Sequence, residues 1–274
     1  MSVVDQVARV AGSAGAPSRL SQVWRYRELL RSMIIRNLKV KYQRSLLGFV
    51  WTLINPLLTV AILVLVFSHV VRIPLEHYWA FVLSGYFVWN CMLQTLNTGT
   101  YIFAEHSRLT RSVAFPSEIL VFGAVGSRLL EFLAEIALIM VVLAAFHHFR
   151  VPPSFALLPV LVVIQVLLAI GLALPIATLS VFYYDVQHAL PIALTTLFYL
   201  SPVFYPVQMV PEAVRPFYFV NPLAGLLTLY HEILYIGRMP SLSLLLGVMA
   251  TALLVYAIGY AVFNRYASVY AEIV

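Results

Sequence analysis

Charged residues are scarce in this sequence. Asp, Glu, Lys and Arg together make up 10% of its 274 residues, whereas soluble domains carry about 25%. Apolar residues instead reach 62%, and the mean hydropathy is +0.93. Because a membrane-crossing helix needs about 20 apolar residues, the chain has room for roughly six or seven spans. The composition excludes a separate soluble domain of useful size.

Cysteine and the usual metal-binding patterns are also almost absent. Cys91 is the only cysteine and lies in an apolar run, which excludes a disulfide framework and predicts a buried thiol. The chain has no G-x-x-x-x-G-K-[ST] nucleotide loop, no H-E-x-x-H zinc motif and no pair of Asp residues that could hold Mg²⁺. These absences predict that the chain is not an enzyme and has no cofactor or metal of its own.

The first 47 residues divide into two parts. Residues 1–22 are rich in Ala, Gly and Ser and lack the apolar core of a signal peptide, so they predict a mobile cytoplasmic tail. In residues 23–47, apolar side chains such as Leu30 and Met33 recur at spacings of three and four, opposite basic residues such as Arg36. This pattern predicts an amphipathic helix in the cytoplasmic membrane interface. A soluble helix packed on a partner is the alternative.

Residues 48–267 predict an all-α, polytopic membrane domain. Its apolar runs indicate six transmembrane helices, at about residues 48–71, 78–103, 119–146, 155–182, 190–206 and 241–263. Residues 207–240 are apolar but contain Asn221-Pro222, His231 and Glu232, so we expect a re-entrant or interfacial hairpin on the outer side. A seventh span is the alternative. The fifth span is short and interrupted by proline, which is typical of a functional region because broken helices must face protein or water.

The distribution of Lys and Arg predicts the orientation. Nine lie in the tail and interfacial helix, three more in the other cytoplasmic segments, and four in the outer connectors. The first two groups are Arg9, Arg19, Arg25, Arg27, Arg31, Arg36, Lys39, Lys41 and Arg44, then Arg108, Arg111 and Arg265; the outer group is Arg72, Arg150, Arg215 and Arg238. Because cytoplasmic loops carry the excess of basic residues, both termini are predicted to be cytoplasmic.

The third predicted span contains charged residues. Arg128, Glu131 and Glu135 are spaced so that all three lie on one helix face. An unpaired charge at mid-membrane costs about 2.5 to 3.5 kcal/mol on insertion scales, so Arg128 and Glu131 are expected to form an intramembrane ion pair that faces protein or water. A proton or ion relay is the functional alternative, but the sequence offers no second acidic cluster to complete it.

Aromatic residues form two populations. Those at span ends, such as Tyr78 and Trp79, are typical of an interfacial belt. The second population lies inside the spans or beside chain breaks: Trp51, Tyr86, Phe87, Trp89, Phe198, Tyr199, Phe204 and Tyr205. Such rings can stack on the apolar faces of sugars and line a passage for a carbohydrate, although packing in the helix bundle explains each of them equally well.

Several motifs in order resemble one family. They are the run KYQRSLLGFVWTLINPLL, the Phe115-Pro116 break, the Tyr184-Asp185 turn, and SPVFYPVQMVPEAVRPFYFVNPLAGLL before the last span. From about Trp24 to Tyr266 the chain is similar to the transmembrane subunit of ABC-2 type polysaccharide exporters, which include the O-antigen, capsule and teichoic-acid permeases. The motifs do not distinguish between these polymers.

The resemblance implies an assembly and a location. It implies a homodimer of this chain with two copies of a separate ATP-binding subunit, which binds the ATP and Mg²⁺, in the bacterial plasma (inner) membrane. The substrate would be a lipid-linked polysaccharide, and no nucleic acid is among the implied partners. The first and fifth spans would line the channel, and residues 211–235 would form an outer gate. The segment 104–117 would couple to the ATPase through Glu105, Arg108, Arg111 and Phe115.

The basic face of the interfacial helix is expected to attract the anionic pyrophosphate of the lipid carrier. The residues concerned are Arg27, Arg31, Lys39, Lys41 and Arg44. Solvated charges that face lipid headgroups are the alternative for each. Three other functions stay open at this point: an exporter of a drug or small lipid, a membrane-embedded glycosyltransferase, and a secondary transporter.

Overall fold

The computed structural model describes residues 25–43, 48–106, 116–147 and 152–273, and within these ranges the chain is all-α. The helices are α1 Arg27–Tyr42, α2 Val50–Val66, α3 Tyr78–Glu105, α4 Glu118–His147, α5 Leu158–Phe182, α6 Val186–Tyr199, α7 Pro222–Tyr230 and α8 Leu242–Ile273. A π-helical turn extends α2 over Phe67–Val71 and α7 over His231–Ile236, and a 3-10 turn, Pro153–Leu157, precedes α5. Between α6 and α7 lie a 3-10 turn, Val207–Met209, and one helical turn, Arg215–Tyr218.

Helix α3 forms the centre of the bundle. It packs against α2, α4, α5, α6 and α7, and side chains such as Val82, Phe87 and Met92 are at most 1% exposed. The buried hydroxyls of Thr95 and Thr100 donate to backbone carbonyls of the same helix, so these two polar side chains are satisfied without water. Five helices therefore surround α3.

Two helix contacts depend on glycine. At the crossing of α5 and α8, a Cβ added at Gly259 would lie 1.9 Å from the carbonyl oxygen of Gly171. On α4, a Cβ at Gly126 would lie 2.6 Å from Ile34 Cδ1 of α1. Close backbone approach at small residues is typical of membrane helix packing. Helix α1, the predicted interfacial helix, is therefore seated against α4 of the same chain, and its own Met33 is 6% exposed.

Three helical stretches within the described residues are long and apolar enough to cross a membrane, namely Val50–Val71, Pro153–Phe182 and Leu242–Tyr266. Helices α3 and α4 have 28 and 30 residues and so exceed the roughly 30 Å hydrocarbon thickness at 1.5 Å per residue. Their polar and charged residues keep them below the apolarity of the other three. These polar and charged residues lie on the two helices, α3 and α4, that each pack against several others.

Helix α6 and the region after it form the irregular part of the fold. The 14 residues of α6 span only about 21 Å, and residues 200–205, predicted as the end of the fifth span, form turns instead. Helix α7 begins at Asn221, whose side chain accepts a hydrogen bond from the Leu223 amide, with Pro222 at its first position. Asn221-Pro222, taken from the sequence as a reason against a span, is thus a helix start.

Candidate functional site: two cavities, an ion network and an aromatic cluster

Two cavities flank the charged residues of α4. The first, of ≈ 410 Å³, lies among α2, α3, α4 and the end of α1, and the second, of ≈ 320 Å³, lies among α1, α3 and α4. Lys41, Arg128 and Glu131 line both cavities. We call these three side chains the ion network.

Glu131 is the centre of the ion network. Its Oε1 atom accepts from Lys41 Nζ at 2.8 Å, and its Oε2 atom accepts from Arg128 Nη1 at 2.6 Å. The hydroxyl of Tyr42 donates to the same carboxylate and also contacts the hydroxyl of Thr52. The residue Glu131 is 4% exposed, and two cations compensate the burial of its carboxylate. The ion network therefore joins α1 and α4, and Tyr42 with Thr52 connects it to α2.

Lys41 reaches Glu131 of α4, although its side chain is still 38% exposed. Burial is the main cause that lowers its pKa, and the charge of Arg128 acts in the same direction, while the hydrogen bond to Glu131 opposes them. Arg27, Arg31 and Lys39 are exposed on the surface of α1, and Arg27 Nε lies 4.0 Å from Glu28 Oε1. The predicted basic set thus divides into a surface group and one residue in the ion network.

Glu135 lies one helical turn beyond Glu131 and lines the first cavity. It is 2% exposed. Its Oε1 atom accepts a long hydrogen bond, 3.4 Å, from Asn90 Nδ2. Among the described residues, Oε2 has no hydrogen-bond partner. A buried carboxyl oxygen without a partner is costly to the fold, and such groups call for an explanation.

Most of the predicted channel aromatics form one cluster at the end of α6. The ring of Phe198 lies 5.6 Å from Trp89, 5.3 Å from Tyr199, 5.3 Å from Phe204 and 6.3 Å from Tyr86, measured between centroids. Tyr199 is 60% exposed, whereas Trp89 and Phe204 are buried. The cluster therefore combines a packed base with an open edge.

Hydrogen bonds hold the turn after α6 against this aromatic cluster. The Tyr205 hydroxyl donates to the Tyr199 carbonyl at 2.9 Å and accepts from Tyr218 at 3.0 Å. Tyr78 donates to the carbonyl of Phe204 at 2.5 Å. Among the predicted aromatics, Trp51 lies outside the cluster and lines the first cavity instead. Tyr86 contacts both the cluster and this cavity.

His231 is a residue whose role the sequence did not predict. Its ring stacks on Phe81 with centroids 3.9 Å apart, Nε2 lies 2.8 Å from the Pro202 carbonyl and Nδ1 lies 3.0 Å from Ser84 Oγ. A Cβ at Gly85 would lie 2.7 Å from the same ring. The pair Ser84-Gly85, small residues among bulky ones in α3, is the sequence signal that a neighbour approaches here.

Some predicted residues fall outside the described ranges. These are the tail 1–22, Arg44 of the basic set, and Arg108, Arg111 and Phe115 of the coupling segment. Glu105 is described; it is the last residue of α3 and lines the second cavity. In the ranges that the structure covers, no three His, Cys, Asp or Glu residues are grouped to hold a metal ion.

Comparison with known proteins gives a consistent set of relatives. The family model described as ABC-2 type transporter matches residues 28–235. The O-antigen export system permease protein RfbA of Myxococcus xanthus is 29% identical over 255 residues, 92% of this chain and 97% of that protein. A protein of the same name from Klebsiella pneumoniae is 26% identical over 90% of this chain and 95% of its own length. The polysialic acid transport protein KpsM of Escherichia coli is 22% identical over 74% of this chain and 80% of its own length.

Proposed function

This chain belongs to the ABC-2 type transporter family, and from that premise we propose that it is the membrane-spanning subunit of an exporter of a lipid-linked, O-antigen-like polysaccharide. As a permease, it carries no ATPase activity, which lies in a separate subunit. The polymer would move from the cytoplasm across the bacterial plasma membrane. The names of the relatives, two O-antigen permeases and a polysialic acid transport protein, support a polysaccharide substrate.

The aromatic cluster at the end of α6 is the observation that carries the proposal. A passage for a sugar chain needs ring faces that accept the apolar side of each sugar without binding it tightly. Phe198 and Tyr199 supply such faces beside a short helix and a chain of turns, and the buried Phe204 packs against both rings. Membrane proteins tolerate irregular backbone where it is buried in protein or lines a water-filled cavity, which supports a lumen here.

The assembly we propose is a homodimer with two ATP-binding subunits. Leu58, Ile62 and Leu65 of α2 are 56%, 64% and 62% exposed in the single chain, and Ile192 and Leu200 of the α6 region are 70% and 57% exposed. These apolar faces would pack against the second copy or lipid. In the homodimer, α2 and α6 of the two copies would line the channel. Residues 211–235 would then form its outer gate.

The cytoplasmic side would load the substrate and receive the force. The surface group Arg27, Arg31 and Lys39, together with Arg44, would attract the carrier pyrophosphate, and Lys41 would complete the entrance when it leaves Glu131. The segment 104–117, with Glu105, Arg108, Arg111 and Phe115, would seat in the ATPase. Because this segment joins α3 to α4, and α4 holds α1 through the ion network, closure of the ATPase would move loading helix and bundle together.

The proposal is tested by export with the cognate ATP-binding subunit. A strain that lacks this permease should accumulate lipid-linked polysaccharide in the cytoplasm, and the chain should restore polymer at the cell surface. Purified in nanodiscs with its partner, the complex should hydrolyse ATP faster when lipid-linked polysaccharide is added. If a small lipid or a drug stimulates the ATPase and the polymer does not, the substrate class is wrong. Polymer synthesis by the purified chain without ATP would instead indicate a glycosyltransferase.

A further inference from the structure

The first cavity, which we call the chamber, is a cleft between helices with a mixed polar and apolar lining, apart from most of the aromatic cluster. Its volume of ≈ 410 Å³ lies within the range of about 300 to 1,000 Å³ that small-molecule sites occupy. Helices α2, α3 and α4 supply its walls, and Glu135 supplies the buried Oε2 atom that lacks a partner among the described residues. A buried carboxyl oxygen without a partner calls for an explanation, and a ligand that completes its hydrogen bonding supplies one.

The ionised groups in the lining are paired with one another, because Glu131 binds both Lys41 and Arg128. Lys41 and Arg128 contribute two cations, and Glu131 and Glu135 contribute two carboxyl groups. A bound cation would be repelled by Lys41 and Arg128, and a bound anion would face both carboxyl groups. The chamber therefore favours a neutral ligand with many hydrogen-bonding groups.

The remaining lining residues fit a hydroxylated ring. Asn55, Asn90 and Gln94 bring side-chain amides to the cavity, and each amide can both donate to and accept from a hydroxyl. A hydroxyl can likewise donate to a carboxylate or accept from a carboxylic acid, so it satisfies Glu135 in either protonation state. The rings of Trp51 and Tyr86 line the same space and can cover the apolar face of a sugar.

We propose that this chamber binds one neutral sugar residue of the transported glycan, and that the Glu135 carboxyl group, whose Oε2 atom is buried without the sugar, turns toward a ring hydroxyl and forms a hydrogen bond with it. This inference rests on the proposed function and adds a recognition site to it. Because the ion network forms one wall of the chamber, sugar bound there lies beside the contact that holds α1 to α4. The chamber would thus bind the sugar selectively near the loading side of the channel.

The test uses the complex with its ATP-binding subunit in nanodiscs and, as the probe, lipid-linked polysaccharide purified from cells that make it. Glu135→Leu should raise the probe concentration for half-maximal ATPase stimulation about tenfold, the size of one lost hydrogen bond, and should reach the wild-type maximum. Glu135→Gln, which keeps a donor and an acceptor, should shift that concentration by less than threefold. Glu118→Leu is the matched control, because Glu118 lies on the same helix, is 7% exposed and lines neither cavity.

A second readout separates binding from a structural role. Glu135→Leu loses the long hydrogen bond from Asn90 but also removes a buried oxygen without a partner among the described residues, so its thermal unfolding temperature should be equal to or above that of the wild type. The proposal is overturned if Glu135→Leu shifts the half-maximal concentration no more than Glu118→Leu does. It is also overturned if Glu135→Leu unfolds at a lower temperature than the wild type and the loss of folded protein accounts for its weaker ATPase stimulation. A polyanionic exported polymer would overturn it as well. Failure of the wild-type complex to respond to any glycan would instead overturn the proposed function.

Discussion

At the scale of single residues, the side chains that matter most here are polar groups on apolar helices. Glu131 binds Lys41 and Arg128 at once, and His231 bonds to Ser84 and to the Pro202 carbonyl. Glu131 has one partner on another helix and one a single turn away on its own helix, and both partners of His231 lie on other segments. Such pairing is how a helix bundle in lipid avoids unpaired charge. Glu135 departs from this pattern and is therefore the residue that we assign to a ligand.

The ion network predicts unequal effects for its members. The side chain of Glu131 is 6% exposed and that of Lys41 is 38% exposed. Glu131→Leu leaves two cations without their carboxylate and should destabilise the fold by about 3 kcal/mol, whereas Lys41→Gln leaves Glu131 paired with Arg128 and should cost less than about 1 kcal/mol. Thermal unfolding of the purified chain, followed by tryptophan fluorescence, measures both. Equal losses for the two variants would show that Arg128 does not compensate Glu131.

At the scale of helices, contact is decided by small residues and by the irregular segments. The crossing of α5 and α8 uses Gly171 and Gly259, and α1 seats on Gly126 of α4. The turns at residues 200–205 are fixed by side chains from α3 and from the α7 region. Regular helix pattern explains none of these contacts, because they depend on the distance between two backbones.

Gly259→Ala should disrupt the α5–α8 crossing. The added Cβ would lie 1.9 Å from a carbonyl oxygen, a clash with backbone that no rotamer relieves, so we expect a loss of about 3 kcal/mol and a lower yield of folded protein. Gly247→Ala on the same helix is the control, because a Cβ there meets nothing within 4 Å. Size-exclusion profiles and unfolding temperatures in detergent compare them. A Gly259→Ala variant as stable as Gly247→Ala would mean that the two helices are not in contact at this point.

His231→Leu should loosen the turn after α6. The substitution removes the bonds to Pro202 and Ser84 and leaves a buried carbonyl unpaired, which costs about 1 to 3 kcal/mol locally. We expect faster hydrogen exchange at residues 200–205, measured by mass spectrometry. Tyr235→Phe is the matched control, since it removes a single bond, to the Glu76 carbonyl, in the same region. Unchanged exchange in His231→Leu would show that other contacts hold the turn.

At the scale of the whole molecule, the chain is a multi-pass membrane protein whose charge is distributed unevenly along its length. The net formal charge is +6, and most basic residues precede the first long apolar helix. This asymmetry predicts that both termini are cytoplasmic. It also agrees with a loading surface on α1 that faces anionic headgroups, where each basic residue adds about 1 kcal/mol of attraction.

The orientation is tested with single cysteines. Because Cys91 is the only native cysteine, a Cys91→Ser background allows Ser13→Cys and Ser241→Cys to be labelled one at a time. A membrane-impermeant maleimide added to intact cells, or to spheroplasts where an outer membrane is present, should modify position 241, before α8, and should leave position 13 unmodified until the cells are opened. The reverse pattern would place the loading surface outside and would contradict the export direction.

The sequence by itself determined the class of the protein and the residues at issue. Low charge, long apolar runs and a basic amphipathic segment predicted an all-α membrane chain, because composition and helical periodicity depend only on neighbours along the chain. It also indicated that Arg128 and Glu131 share a helix face, since three residues separate them.

Only the tertiary structure decided which residues meet. Lys41 and Glu131 are 90 residues apart, as are Asn37 and Ser127, and His231 and Ser84 are 147 apart, so no local pattern could pair them. The division of the aromatics between the first cavity and the α6 cluster likewise follows from how helices stack, as does the Glu135 Oε2 atom that has no partner among the described residues. These arrangements depend on contacts between helices, such as those at glycine, and such contacts are properties of several segments together.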